Sequence, residues 1–513
     1  MFATFEDINE IEKFGIDVMR YVRGEVNEER FKKIRLNMGV YGQRQKHNNH
    51  MQRIKIPLGL LTSEQARAIA SVTDKYSAGI IHITTRQDIQ IHFVKIENTP
   101  VLMKELAEKG ITTREACGNT IRNVTACCRS GICPAEKFDV TRDGIAVAKH
   151  NIRYELTQNL PRKFKISFSG CLGDCGLERI HDIGFIATSN GAENYYSIYI
   201  GGGLGPFPKM NHLLKENVES AEIFKYADEI IRYFDLEGNR KERNKARFKF
   251  VLEKFGNEKV VEDILRNIAA VDEFPAKETY CHPFLDAPPA GRPEVLTNGI
   301  TETAWFKNSV FEQKQKGYYA FDVRPEIGDI TPEQFRLIAD LAEKYGNGTL
   351  RTTNRQTILV PWLSGGALAK FHEEISRGGR LVRAEEPHAI ACPGRDTCNL
   401  GITSSRALAR ELNRTLKGRV DHTVKINISG CQNSCAQHHM GAIGFYGAAA
   451  KRGGRQVPYY FVLAGGRASE KGSDIGKVIL KIPAKNITPV TLAMFDLYRK
   501  ERLDDERPED FFI

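Results

Sequence analysis

The segment TSEQARAIA at residues 62–70 recurs as TPEQFRLIA at residues 331–339, and this repeat decides the fold class. In each copy a threonine, Thr62 or Thr331, is placed to cap a helix, and Gln65 or Gln334 follows three residues later to complete a capping box. The repeat therefore predicts an internally duplicated chain in which each half opens an amphipathic helix with the same cap.

Each predicted helix leads through a turn into a segment rich in β-branched residues. The segment from Ile80 to Val94 contains Thr85-Arg86-Gln87, and the segment from Thr349 to Val360 contains Asn354-Arg355-Gln356. Alternating β-branched residues are typical of strands, so we expect each segment to be one strand that carries an Arg-Gln pair. A helix followed by a strand, twice over, predicts a compact α+β module made by both halves.

The cysteine spacing is duplicated as well. Four thiolates suit either a 4Fe-4S cluster or a structural zinc ion, but zinc sites favour pairs two to four residues apart. A five-residue gap beside Pro393 and Gly394 suits a loop around a bulkier object. The spacing therefore favours iron–sulfur clusters, with zinc and unligated buried cysteines as the alternatives. The two sets are Cys127-x5-Cys133 with Cys171-x3-Cys175, and Cys392-x5-Cys398 with Cys431-x3-Cys435.

Composition predicts a cytoplasmic protein with reduced cysteines. Outside the two sets the chain has Cys117, Cys128 and Cys281, an odd remainder that no disulfide framework explains. No secretory segment and no apolar run of the length of a membrane span is present, so we expect no membrane association. The net charge of +10 implies an anionic partner, which charge alone leaves open between nucleic acid, an acidic protein and a polyanionic small molecule.

Two segments separate the repeated elements. Residues 274–300 contain five prolines and indicate a linker over the surface. The charged stretch from Asn211 to Val271 has helical apolar spacing, which indicates helices packed by one face rather than a nucleic-acid arm.

Four cations of the first half form a further pattern: Arg86, Arg122, Lys163 and Lys165. If the halves pack about a pseudo-twofold axis, a ligand at their interface faces cysteines of one half and cations of the other. Clustered cations in a partly buried pocket are costly unless an anion binds there, although separate carboxylate partners are the alternative. At the equivalent positions the second half retains only two cations, since it has Arg355, Pro387, Thr423 and Lys425.

With these motifs the chain resembles the sirohaem-dependent nitrite/sulfite reductases along nearly its whole length. The resemblance implies an α+β, internally duplicated fold with ferredoxin-like half-domains paired about a pseudo-twofold axis and two α/β domains that bind cluster and sirohaem. It implies half-domains at residues 45–110 and 312–380, α/β domains at residues 111–273 and 381–513, and a linker at residues 274–311. It also implies a 4Fe-4S cluster on Cys392, Cys398, Cys431 and Cys435, with Cys435 bridging to the sirohaem iron.

The resemblance further implies which residues act on the substrate. Arg86 and Arg122 are expected to bind the substrate anion and sirohaem carboxylates, with Gln87 and Asn123 beside them. Lys163 and Lys165 are expected to be the proton donors. The reaction expected is six-electron reduction of sulfite to sulfide, because Lys165 is typical of the sulfite reductases, with ferredoxin-dependent nitrite reduction to ammonia as the alternative.

The electron donor implied is ferredoxin or a similar acidic protein, since no flavin or nicotinamide fingerprint is present. The glycine run at residues 201–205 is not followed by a dinucleotide-binding helix; it is read either as backbone close to the tetrapyrrole or as a plain turn.

The complete first-half cysteine set resembles that of dissimilatory sulfite reductases and leaves open a second cluster on Cys127, Cys133, Cys171 and Cys175, with Cys128 as a competing ligand. Cys117 lies where some family members have a cysteine crosslinked to a tyrosine, although an ordinary buried thiol is the favoured interpretation. Two other functions remain as alternatives: a zinc-stabilised basic protein that binds nucleic acid, and an electron carrier with clusters alone.

Overall fold

A computed structural model describes residues 3–45, 49–189, 193–271, 288–296, 299–383, 386–420, 424–470, 472–504 and 506–513. The first half consists of α1 (Phe5–Val22), α2 (Glu28–Asn37), β1 (Val40–Gly42), β2 (Asn49–Ile54), β3 (Leu60–Thr62), α3 (Ser63–Tyr76), β4 (Ile81–Ile83), β5 (Ile89–Lys95), α4 (Thr99–Ala107), β6 (Thr125–Ala126), α5 (Thr141–Asn151), β7 (Ile166–Ser169), β8 (Ile183–Ser189), β9 (Asn194–Ile200), β10 (His212–Glu219), α6 (Ile223–Glu237), α7 (Lys249–Phe255) and α8 (Asn257–Ala269).

The second half consists of α9 (Ala304–Ser309), β11 (Val310–Glu312), β12 (Tyr318–Val323), β13 (Asp329–Ile330), α10 (Pro332–Tyr345), β14 (Thr349–Thr352), β15 (Ile358–Ser364), α11 (Leu368–Ser376), β16 (Ile390–Ala391), α12 (Ser405–Leu416), β17 (Ile426–Ser429), β18 (Ile443–Arg452), β19 (Arg455–Ala464), β20 (Arg467–Ser469), β21 (Gly472–Asp474), β22 (Lys477–Pro483), α13 (Ile487–Glu501) and α14 (Pro508–Phe511). It repeats the central part of the order of the first half, with an added pair of short strands, β20 and β21, and without counterparts of α7 and α8.

The repeated helices α3 and α10 form the centre of the molecule. Both capping boxes are present, with Thr62 accepting from the Gln65 amide N–H and Thr331 from that of Gln334, which confirms the prediction. The two helices pack on each other, and their buried faces join the flanking strands of both halves in one hydrophobic core.

The half-domains exchange strands. One sheet has the order β1-β2-β5-β4-β13 and the other has the order β11-β12-β15-β14-β3, so each contains four strands of one half and one of the other. The exchanged strands pair antiparallel, Asp329 with His82 and Leu61 with Leu350. Neither sheet can form completely without the other half.

Each half also has an α/β domain. Its sheet runs β10-β9-β8-β7-β6 in the first half and β16-β17-β18-β19-β22 in the second, with the short strands β6, β7 and β8, or β16, β17 and β18, running parallel. The first cysteine of each set follows β6 or β16 directly and the third follows β7 or β17 after one glycine. Because these strands are parallel, the cysteines lie at the same carboxyl edge of the sheet, where ligands bind in α/β folds.

Two expectations about local structure were wrong. The segment after each central helix is not one strand but a hairpin, β4–β5 or β14–β15, with the Arg-Gln pair in its turn. The charged stretch from Asn211 begins with the strand β10 and becomes helical only at Ile223, because its first part pairs with β9. The segment expected to be a linker ends in helix α9, and Cys281 lies outside the described residues.

Candidate active site

Two cavities lie where the α/β domain of one half meets the hairpin turn of the other. The Cys435 cavity encloses about 770 Å³ including its open mouth, and its lining includes Arg53, Arg86, Asp88, Arg122, Lys163, Lys165, Cys392 and Cys435. The Cys175 cavity encloses about 1150 Å³ on the same measure, and its lining includes Cys127, Cys128, Arg129, Cys175, Asp322, Arg324, Arg355 and Lys425.

The hairpin turns are shaped by a glutamine with left-handed backbone. Gln87 has φ 60° and Gln356 has φ 61°, a conformation that non-glycine residues rarely adopt. In the first turn Thr84 N–H donates to the Asp88 carbonyl at 2.9 Å, and Thr353 N–H makes the equivalent bond to Thr357 at 3.0 Å. The tight turn directs the preceding arginine away from the strand and towards a cavity.

Each glutamine ties its turn to the backbone just before a cysteine. The side chain of Gln87 accepts from Ala126 N–H at 3.0 Å and donates to the Ala126 carbonyl at 3.0 Å. Gln356 does the same with Ala391, at 2.9 and 3.0 Å. The next residues are the first cysteines of the two sets, so each glutamine positions a cysteine of its own half.

The residue before each arginine crosses to the other half. Thr85 Oγ1 donates to the Cys435 carbonyl at 2.7 Å, and Asn354 Nδ2 donates to the Cys175 carbonyl at 2.7 Å. The last cysteine of each set is therefore held by the hairpin turn of the opposite half, and each cavity is complete only when both halves are present.

Backbone carbonyls, one ring nitrogen and the Tyr41 hydroxyl hold the two arginines of the Cys435 cavity. Arg86 donates to the Asn123 carbonyl and contacts His181 Nε2, and burial lowers the pKa of Arg86 to about 10. Arg122 donates to the Gly118 carbonyl at 3.0 and 3.2 Å and to that of Ala116 at 3.2 Å. Carbonyl partners fix these guanidinium groups without cancelling their charge.

The two lysines present bare ammonium groups to the same cavity. Lys163 and Lys165 alternate along the extended segment that enters β7, so their side chains share one face. Within the part of the chain that the structure describes, neither ammonium has a hydrogen-bond or ion-pair partner. Burial, and then Arg247 and Arg122, lower the pKa of Lys163 to about 7. Burial, and then Arg86 and Lys163, lower the pKa of Lys165 well below its ordinary value.

The charges of the Cys175 cavity are more nearly balanced. Arg324 donates to Asp322 at 2.9 Å, and Lys425 donates to the Ala468 carbonyl at 3.2 Å. Burial lowers the pKa of Arg355 to about 10, with nearby Arg324 lowering it further and Asp322 and Glu509 opposing that change. Where the Cys435 cavity has Arg53 on β2, the Cys175 cavity has Asp322 on the equivalent strand β12.

The four cysteines of each set are gathered together. Burial and then Cys435 raise the pKa of Cys392 to about 12, and burial followed by the charge of Cys435 also raises the pKa values of Cys398 and Cys431. In the first half, hydrogen bonding with Cys127 lowers the pKa of Cys175 to about 6. Among the described residues, no three His, Cys, Asp or Glu side chains converge on a position for a single metal ion. The mutual effects on their pKa values indicate that the thiols within each set lie near one another.

Comparison with known proteins identifies the family. The nitrite and sulphite reductase 4Fe-4S domain matches residues 117–269 and 388–511, and the nitrite/sulfite reductase ferredoxin-like half domain matches residues 41–109 and 311–377. The chain belongs to the nitrite and sulfite reductase family. Both domain types occur twice, as the duplication predicted.

The relatives of this family member include reductases of both anions. An assimilatory ferredoxin-dependent nitrite reductase of Haloferax mediterranei is 27% identical over 489 residues, covering 90% of this chain and 82% of that protein. A sulfite reductase [ferredoxin] of Mycobacterium tuberculosis is 26% identical over 407 residues, covering 77% and 69%. The structure of the Mycobacterium tuberculosis NirA protein superposes with a TM-score of 0.80 at 23% identity, covering 95% of this chain and 90% of that one, and so shares the fold.

Family membership confirms the cofactor prediction: sirohaem and a 4Fe-4S cluster are cofactors of this reductase. The Cys435 cavity fits them, because its five lining cations face a single lining carboxylate, Asp88, and so suit the carboxylates of a sirohaem, while the gathered thiols suit a positively charged cluster core. Membership also decides against the zinc-stabilised nucleic-acid-binding protein and the carrier without an active site. No helix in the described ranges is long and apolar enough to cross a bilayer.

Not every predicted site residue reaches the wall of the cavity. Gln87 has its amide fully engaged by backbone, and Asn123 donates to the Ile56 carbonyl at 2.7 Å, so both support the wall from behind. Thr423 lies outside the described residues. Cys128 lines the Cys175 cavity, and the thiol of Cys117 is fully buried.

Sequence reasoning missed Arg53 and His181. Arg53 lines the Cys435 cavity, and buried His181 contacts Arg86. The offset that aligns the two repeats pairs Arg53 with Asp322. A comparison of the charged residues in these equivalent segments would therefore have found that a positive charge in the first half is replaced by a negative charge in the second. His181 had no such signal, because its position in the second half is a glycine, Gly441.

Proposed function

We propose that this chain reduces sulfite to sulfide at the Cys435 cavity. The observation that carries the proposal is the pair of ammonium groups on Lys163 and Lys165, which have no partner in the described structure and face the cavity beside Arg86 and Arg122. Sulfite is a dianion with three oxygens to remove, and it needs more positive charge than a monoanion such as nitrite.

The reaction consumes six electrons and seven protons: sulfite becomes hydrosulfide, and its three oxygens leave as water. When bound, the cluster and the sirohaem would supply electrons one at a time and an iron able to take the anion as a ligand. The chain supplies the rest. Arg86 and Arg122 hold the anion by charge-assisted hydrogen bonds, and Lys163 and Lys165 donate protons to departing oxygens. A lysine with a pKa near 7 both gives and regains a proton at neutral pH.

Nitrite reduction to ammonia is the second candidate, because relatives covering most of the chain are nitrite reductases. The two are separated by kcat/KM for sulfite and for nitrite, measured with reduced methyl viologen. We expect the wild type to prefer sulfite and the Lys165→Asn variant to prefer nitrite, because removing one cation penalises the dianion more. Lys425→Asn in the other cavity is the matched control. If the wild type prefers nitrite and Lys165→Asn leaves that preference unchanged, nitrite and not sulfite is the substrate.

We also propose a second 4Fe-4S cluster on Cys127, Cys133, Cys171 and Cys175. Support comes from the equal spacing of the two sets and from the matching bonds of Gln87, Gln356, Thr85 and Asn354 around them. Acid-labile sulfide should correspond to two cubes per chain and iron to two cubes plus the sirohaem iron, and Cys133→Ser should remove one cube while leaving the sirohaem spectrum in place. A wild-type total of one cube contradicts the second cluster.

Ferredoxin is the electron donor we propose, since relatives that span most of this chain are named as ferredoxin-dependent enzymes. The net charge of +10 suits an acidic protein of this kind. Turnover with reduced ferredoxin and without any nicotinamide tests this directly.

A further inference from the structure

The hairpin formed by β18 and β19 extends well beyond the sheet edge at which the second-half cysteines lie. Ser429, the last residue of β17, pairs with Tyr446 of β18, and the cysteine loop begins there. Strand β18 continues in the same direction to Arg452, roughly 20 Å further at about 3.3 Å per residue. Gly447 lies directly against Gly430, whose carbonyl oxygen would be 2.6 Å from a Cβ at that position. The hairpin therefore rises beside the second cysteine set.

The tip of this hairpin is positively charged. Lys451, Arg452 and Arg455 are all exposed, and Arg452 donates only to the hydroxyl of Tyr459, at 3.2 Å. Among the described residues none of the three cations has a carboxylate partner. The equivalent hairpin β8–β9 ends its pairing at Ser189 and Asn194, much closer to its own cysteines, and its described residues carry no cation near the tip.

An exposed apolar pair lies at the foot of the same hairpin. Leu400 is 67% exposed and Ile402 is 43% exposed, and both follow Cys398 in its loop. Ile402 N–H donates to the Gly430 carbonyl at 2.8 Å, which fixes the pair beside the cluster ligands. In the first half the residue making the same backbone bond is Lys137, so this apolar pair belongs to one half only.

We infer that this surface, made of Lys451, Arg452, Arg455, Leu400 and Ile402, docks an acidic electron-carrier protein, so that electrons enter at the second-half cluster and not at the first-half cysteine set. An apolar centre beside a charged rim is the usual composition of a protein interface, and positive charge speeds encounter with a negative partner. A second copy of this chain would bring the same three cations against each other. This docking surface adds an electron-entry site to the proposed function, and it rests on that function because the electrons are taken to reduce sulfite.

The test uses the loaded enzyme with two donors: a reduced acidic [2Fe-2S] ferredoxin and reduced methyl viologen, a small cation. The variant Lys451→Glu/Arg452→Glu/Arg455→Glu should raise the KM for ferredoxin at least tenfold and leave kcat with methyl viologen unchanged. Its KM for ferredoxin should also lose most of the salt dependence shown by the wild type. Leu400→Ser should raise the KM for ferredoxin severalfold.

Two control variants separate this site from charge in general. Lys32→Glu/Lys215→Glu/Lys241→Glu changes net charge by the same amount at exposed positions elsewhere, and Leu172→Ser removes the exposed leucine beside the first-half set. Neither should change the KM for ferredoxin. An equal rise in the charge control, or a rise in Leu172→Ser matching that of Leu400→Ser, overturns the inference.

Failure of the proposed function has a different signature. An enzyme that reduces neither anion with methyl viologen contradicts the function, and calorimetric titration with oxidised ferredoxin then tests docking alone. Weaker binding by the triple hairpin variant than by its charge control supports the docking surface, and equal binding overturns it.

Discussion

The Cys435 and Cys175 cavities are built by the same scheme and differ in charge. In both, a left-handed glutamine ties a hairpin turn to the residue before one cysteine, and a polar side chain holds the last cysteine of the other half. The Cys435 cavity has Arg53 where the Cys175 cavity has Asp322, and its Arg122 and Lys163 correspond in sequence to Pro387 and Thr423 of the second half. The two halves share the backbone support and differ in these side chains, which indicates that support and chemistry are carried by separate residues.

The largest difference between the cavities should follow from Cys435, which the family resemblance implies as a cluster ligand and the bridge to sirohaem. We expect Cys435→Ser to lower sulfite reduction more than about 1,000-fold, above the loss from removing a single electrostatic donor, because in that role the thiolate would hold both cofactors. Cys175→Ser, the matched change in the other cavity, should keep activity within about tenfold. Methyl viologen activity together with iron content measures both. Equal losses would mean that both cavities are catalytic.

The lysines should give the next largest effect. Lys163→Met and Lys165→Met should each lower kcat/KM for sulfite about 100-fold, because each removes a charge and a proton donor from a cavity with few carboxylates. Lys425→Met is the control, and we expect less than about threefold, since Glu509 and Asp174 already face Lys425. A loss in Lys425→Met as large as in Lys165→Met would contradict the assignment of catalysis to one cavity.

A pH profile sharpens the role of Lys163. Its pKa is lowered to about 7, so the ammonium that donates a proton is present below pH 7 and is lost as pH rises through that value. Wild-type kcat/KM for sulfite should therefore fall above pH 7. In Lys163→Arg the guanidinium stays protonated, so the part of the fall due to Lys163 should disappear. Sulfite's own protonation is common to both enzymes, and identical profiles would show that Lys163 does not titrate in the reaction.

The smallest expected effect concerns what the two cavities share. Gln87→Ala and Gln356→Ala each leave backbone groups of Ala126 or Ala391 buried without a partner, which costs about 1–3 kcal/mol of unfolding free energy. Because the two glutamines make equivalent bonds, denaturant unfolding should show similar losses. If only one of the two variants is destabilised, Gln87 and Gln356 contribute unequally to the free energy of unfolding despite their equivalent bonds.

Local signals in the sequence predicted the central helices and the cysteine sets, because a capping box and a ligand spacing each lie within a few residues. The hairpin turns were missed, since no side-chain pattern marks Gln87 or Gln356 as left-handed; that conformation is imposed by bonds to Ala126 and Ala391, more than thirty residues away. The exchange of β3 and β13 between sheets was equally hidden, because both are too short to show alternation.

Residues of the candidate site could be predicted from the sequence where the two halves have different residue types at equivalent positions. Arg122 and Lys163 stand out because the second half lacks a cation at the same position, whereas Gln87 and Asn123 were placed at the cavity only by resemblance and support it from behind. Whether a lysine ammonium group has an ion-pair partner depends on how the folded chain packs around it. The sequence names the lysines, but only the fold shows that Asp182 is engaged by Arg247 at 2.7 Å and does not neutralise them.

The bonds from Thr85 to Cys435 and from Asn354 to Cys175 also set an order of events during synthesis. The ribosome releases all four first-half cysteines well before the turn that carries Asn354 exists, and it releases Thr85 long before Cys435. A half-made chain thus has thiols without their closing turn, or a closing turn without its thiols. Neither set of four cysteines therefore has its complete support until the second half of the chain has been synthesised.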